Sequence, residues 1–175
     1  IADQTATAAA AQTAIAAADL TATAAAIQTA TALANTATPP APPSNDNRAD
    51  AQQFRQNPPI VLDVRGATIE STDPNFICRD GGTQTHTVWY FIQPSEAQEI
   101  SLNTQGSTYD TIIGIWSETS TGLLQPVACN NNANSSVVYS RIDNLRLNAN
   151  TRYLIGIAAN DAIGAGICGW DLRAT

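Results

Sequence analysis

One histidine, three cysteines and one Asn-X-Ser triplet make up most of the chemistry that residue type alone allows in this chain. His86 stands in a polar turn ahead of the segment carrying Trp89, with no partner that the sequence places beside it. A general base has to be oriented within hydrogen-bond reach of its target, so His86 reads as a surface or structural residue. No Ser or Cys stands in a recognisable nucleophile motif. Three Cys fall short of a structural zinc site. Cys78, Cys129 and Cys168 leave three single disulfide pairings open. Asn134-Ser135-Ser136 is an acceptor triplet for N-linked glycan, and Ser and Thr near the Pro run offer O-linked positions. Trp116 and Trp170 are the candidates for stacking on a sugar ring. The stronger expectation for them is packing, because Trp89, Tyr90, Phe91, Trp116, Tyr139, Tyr153 and Trp170 fall in strand-like runs and supply a core. Hydrolytic activity is not expected, and the chain reads as a non-enzyme.

The elements around these residues fall into three parts. Residues 1–38 contain eighteen Ala and nine Thr, and only Asp3 and Asp19 carry charge. Residues 3–18 and 19–34 agree at twelve of sixteen positions. Ala is the best helix former, and neither Gly nor Pro occurs before Pro39. The segment therefore predicts an α-helix of about 57 Å, against the alternatives of a solvated low-complexity tail or a strand. Its large apolar residues, Ile1, Ile15, Leu20, Ile27 and Leu33, spread over about 140° of the helical wheel, so they form no narrow coiled-coil seam. Small residues on all sides suit close approach to several neighbours. The expected partners are copies of the same chain, with the helix lying along its own domain as the alternative.

Residues 39–44 (PPAPPS) end the helix, because Pro neither donates the backbone bond nor tolerates a helical predecessor. They predict an extended, semi-rigid spacer. From Asn45 to Thr175, short β-rich runs alternate with Asn/Gly/Ser turns. Strands are expected at 60–64, 87–93, 98–104, 110–116, 124–128, 136–142, 152–158 and 168–173, with a short helical or irregular piece at 50–56. Such spacing predicts a mainly-β fold, an antiparallel sandwich of jelly-roll type.

The net charge is −7, all eight basic residues are Arg, and the first is Arg48. No basic patch is visible, so nucleic acid is not an expected partner. No strongly apolar run of membrane-spanning length occurs. There is no Met, so residue 1 is not a translation start, which implies removal of a leader or signal peptide. The composition suits an extracellular or cell-surface protein.

Within residues 45–175, five pieces stand in order. They are Asn45-Asp46-Asn47-Arg48-Ala49-Asp50-Ala51, Val88-Trp89-Tyr90-Phe91, residues 106–116 (GSTYDTIIGIW), Val127-Ala128-Cys129-Asn130-Asn131, and Asn150-Thr151-Arg152-Tyr153-Leu154-Ile155. Together they resemble the bacterial pre-peptidase C-terminal domain family. That family consists of β-sandwiches carried by secreted proteases and other exported proteins. The resemblance implies an appendage rather than an enzyme, and a Cys78–Cys129 disulfide with Cys168 left over. It also implies that Asp110 comes near Asn130, Asn131 and Asn132, where some members bind calcium. The family's acidic loop here reads Cys129-Asn130-Asn131-Asn132, which removes the carboxylates that give affinity. Calcium is thus the one candidate cofactor, set against an Asn-rich turn.

Two functions remain. The first is a structural subunit of an extracellular filament, helix inside and β-domain outside, which resembles a pilin in outline and could serve adhesion. The second is a module that binds polysaccharide or protein for a secreted hydrolase.

Overall fold

The computed structural model describes residues 40–55, 60–79, 81 and 84–160, with the backbone of 167–169 and 171–174. The chain divides into two units, Ile1–Pro39 and Pro40–Thr175, and the description concerns the second. The expected helix, with Ile1, Ile15, Leu20, Ile27 and Leu33, lies outside the described residues, as does Trp170.

Among the described residues, ten strands follow one 3-10 turn at Arg48–Asp50. They are β1 (Gln52–Gln53), β2 (Val61–Asp63), β3 (Thr85–Ile92), β4 (Gln98–Asn103), β5 (Thr111–Glu118), β6 (Leu124–Asn130), β7 (Arg141–Leu147), β8 (Tyr153–Ala159), β9 (Ile167–Gly169) and β10 (Asp171–Ala174). The fold is mainly β. One sheet has the order β1-β3-β8-β5-β6, a second β10-β4-β7, and β2 pairs with β9.

Sequence texture explains these places. β3, β5 and β8 are nearly unbroken apolar runs, and they are the three central strands of the larger sheet, covered on both faces. β4 alternates, so Ile100 and Leu102 turn inward. In β7 an irregularity at Asn144, where the register with β4 shifts, lets both Ile142 and Leu147 turn inward although they are five residues apart. The inward residues meet Val88, Tyr90, Ile113, Ile115, Tyr153, Ile155 and Ile157 in one apolar cluster shared by the two larger sheets, a sandwich-like arrangement. A second cluster forms on the opposite face of the larger sheet from Phe76, Trp89, Ile112, Trp116 and Ala158.

Phe76 belongs to the irregular chain between β2 and β3, and two glycines make room for it. Gly114 and Gly156 are register partners on β5 and β8. A Cβ at Gly114 would lie 2.9 Å from the Phe76 ring and closer still to Trp116; one at Gly156 would lie 2.7 Å from the Trp89 ring. Bare backbone here lets three aromatic rings settle onto the sheet. Phe76 and Trp116 meet edge-on at 5.0 Å.

Several expectations need correction. The pairing is antiparallel except for β1, which runs parallel to β3. The segment at 50–56, expected to be helical or irregular, begins at the end of the 3-10 turn and contributes that short strand. Residues 136–140 form no strand, and β7 begins only at Arg141. Their polar groups are committed elsewhere: the Asn134 side-chain carbonyl accepts the Ser136 N–H, and buried Ser140 places its N–H against the Thr104 and Thr111 hydroxyls and its own hydroxyl within reach of the carbonyls of Thr111 and Asn131. The Asn134–Ser136 bond is a local turn, and the Ser140 bonds reach chain 9 to 36 residues away, so tertiary context decides this segment. The single strand expected at 168–173 is two strands in different sheets, β9 and β10. Of the aromatic set, Phe91 and Tyr139 are only half-buried.

The end of the Pro run lies on this unit. A Cβ on Gly66 would sit 2.1 Å from the Pro40 carbonyl oxygen and 2.5 Å from that of Ala41. Pro43 accepts the Asp46 N–H at 3.0 Å, and Gln52 reaches the Ser44 hydroxyl at 2.7 Å.

Candidate functional site

Cys78 and Cys129 are joined by a disulfide, with a Cα separation of 5.6 Å. The bond pins the irregular chain after Phe76 to β6 and flanks the outer aromatic cluster. Cys168 stands in β9, its backbone paired with Leu62. Trp116 does not offer a sugar platform: it is 4% exposed, with Phe76 edge-on to it and Trp89 tilted against it at 5.6 Å. His86 is not in a turn before β3 but inside it, at positive φ (52°), where the register with β8 shifts between Thr85 and Val88. Its Nδ1 is buried with no hydrogen-bond partner among the described residues.

The candidate calcium residues come together only in part. Asp110 accepts the Asn160 N–H on its backbone carbonyl at 3.0 Å, and the Asn160 amide reaches its carboxylate at 3.4 Å. The side-chain oxygen of Asn130 is committed to the Arg141 N–H at 2.8 Å. Asn131 is buried, and its side-chain oxygen has no hydrogen-bond partner among the described residues. No group of three or more His, Cys, Asp or Glu suited to a metal occurs among the described residues. Asn134 is exposed, as its glycan triplet requires.

Sequence reasoning missed a groove of about 300 Å³ lined by Arg48, Ala49, Glu70, Thr72, Glu118, Arg152 and Leu154. Its walls come from the 3-10 turn, the irregular chain after β2, the end of β5 and the start of β8. Arg152 pairs with Glu118, and its guanidinium lies 4.6 Å above the Phe91 ring. The Glu118 N–H returns to the Arg152 carbonyl at 2.9 Å. Glu70 accepts the Arg48 N–H at 3.1 Å, and the Arg48 guanidinium donates to the Thr72 carbonyl at 3.2 Å. Four separate stretches of chain meet here, so no local motif could have announced it.

Beside the groove, Asp73 accepts the Glu70 N–H at 3.0 Å, while its other carboxylate oxygen has no hydrogen-bond partner among the described residues. Burial, aided by the neighbouring Glu70 charge, pushes its carboxyl above the ordinary value of 3.8, although the Glu70 N–H opposes this. The fold thus favours protonated Asp73. Its contribution to stability is fully present below pH 3.8 and is lost as pH rises through the raised value. Asp73→Asn keeps an acceptor and drops the charge. It is expected to melt higher than the parent at pH 7 and to converge with it near pH 3, as followed by thermal melts across that range.

No family model, curated protein or solved structure matches the chain. Among the described residues, no helix is long and apolar enough to cross a membrane.

Proposed function

We propose that the chain is a non-enzymatic structural subunit of an extracellular filament, in which residues 1–38 join copies and the β unit is displayed outward. The observation that carries this reading is the self-repeating Ala/Thr segment, whose halves agree at twelve of sixteen positions. A rod of small residues lets identical rods pack closely, and a contact repeated without closure gives a fibre. The disulfide fits an oxidising, extracellular setting. Commitment of Cys78 and Cys129 to that bond, and of the Ser140 hydroxyl to backbone carbonyls, fits a non-catalytic role. The sharper fold reading, a jelly-roll-like sandwich of the pre-peptidase C-terminal kind, belongs to the same proposal. It is supported by five motifs in order and by two sheets sharing one apolar cluster. A chain beginning at Pro40 should sediment as single particles while keeping its disulfide; native assembly by that shortened chain would refute the proposal.

A second reading, a polysaccharide- or protein-binding module of a secreted hydrolase, is favoured by one observation, the groove at Arg48 and Arg152. Self-association and surface glycans are then the partners proposed. The net charge of −7 argues against nucleic acid.

A further inference from the structure

We propose that this groove binds a neutral polyhydroxylated unit, one sugar ring of a surface glycan. The proposal deepens the binding-module reading and is independent of assembly through residues 1–38. Two guanidinium groups and two carboxylates line the same cavity and cancel. A free anion entering it meets Glu70 and Glu118; a free cation meets Arg48 and Arg152. Neither gains a net field, whereas a hydroxyl, which both donates and accepts, can satisfy both kinds of group.

The polar groups are also held in place before any ligand arrives. Arg152 is fixed by Glu118 on one side and by the Phe91 face on the other. Glu70 is fixed by the Arg48 N–H, and the Arg48 guanidinium by the Thr72 carbonyl. Pre-set side chains lose little freedom on binding. Guanidinium and carboxylate are planar two-pronged groups, a shape that suits neighbouring hydroxyls on a ring. Buried Leu154 adds an apolar wall for the C–H face. The volume, about 300 Å³, lies at the small end of ligand sites. It suits one ring with the rest of the glycan outside, and the resulting affinity is weak unless many copies act together.

The test is saturation-transfer NMR on the full chain, which tolerates large assemblies. The probes are the methyl glycosides of glucose, galactose, mannose and N-acetylglucosamine, with sodium sulfate and glycine as competitors. The expected result is transfer to at least one glycoside, undiminished by either competitor. Transfer should fall roughly tenfold in Arg48→Ala and in Glu118→Gln and stay unchanged in Asp143→Ala, whose exposed carboxylate pairs with Arg141 outside the groove. Because Glu118→Gln could disturb Arg152, Arg48→Ala is the deciding variant, provided its circular dichroism matches the parent. Transfer to none of the four glycosides, transfer unaffected by Arg48→Ala, or displacement by sulfate or glycine would each overturn the proposal. Fibre formation, read by microscopy on the same samples, reports separately on assembly.

Discussion

Reduction of the Cys78–Cys129 bond is expected to lower the stability of the β unit by about 4 kcal/mol, because the bond closes a loop spanning 51 residues and restricts the unfolded chain by that amount. For a domain of this size the melting point should fall by roughly 10–20 °C. The location adds to the effect. Cys78 and Cys129 pack against the outer aromatic cluster, so releasing them loosens the irregular chain that carries Phe76. Thermal melts with and without a strong reductant, repeated on Cys78→Ser/Cys129→Ser, check this. Equal midpoints would mean that packing alone holds the chain in place.

Phe76→Ala should cost about 3–5 kcal/mol, the range for emptying a buried aromatic site. Phe76 is 3% exposed and rests over Gly114 and Gly156, where neither sheet strand has a side chain to fill the space. Its loss therefore leaves a void that the sheet cannot collapse into. Trp89 and Trp116, now shielded by it, should show red-shifted fluorescence. Phe76→Leu, which restores most of the volume, should cost markedly less. Urea unfolding of the three proteins reads the difference. Equal stability of the Ala and parent proteins would remove Phe76 as the lid of the second core.

These two predictions also show where sequence reading succeeds and where it stops. The central strands were legible because Val88–Phe91, Ile112–Trp116 and Tyr153–Ile157 are long apolar runs, and burial on both faces follows from that pattern. The alternation of Ile100 and Leu102 was legible for the same reason. Packing, the stronger expectation for Trp116, is what the structure shows; what the sequence did not reveal is its cover, Phe76, which arrives from irregular chain about forty residues earlier. The 136–140 segment was misread because β propensity is a weak preference that four bonds from Ser140 overrule. The positive φ of His86 and Asn144 fits residue types that tolerate that region, but nothing local says which His or Asn will adopt it. The groove was invisible for the same reason: Arg48, Glu70, Glu118 and Arg152 look like ordinary surface charges until the fold gathers them.

Joining of copies through the Ala/Thr segment is the physical basis of the proposed filament. Negative-stain microscopy of the intact, purified protein tests it directly. The account predicts uniform fibres with β units along their outside; a field of separate monomeric particles at every concentration would contradict it.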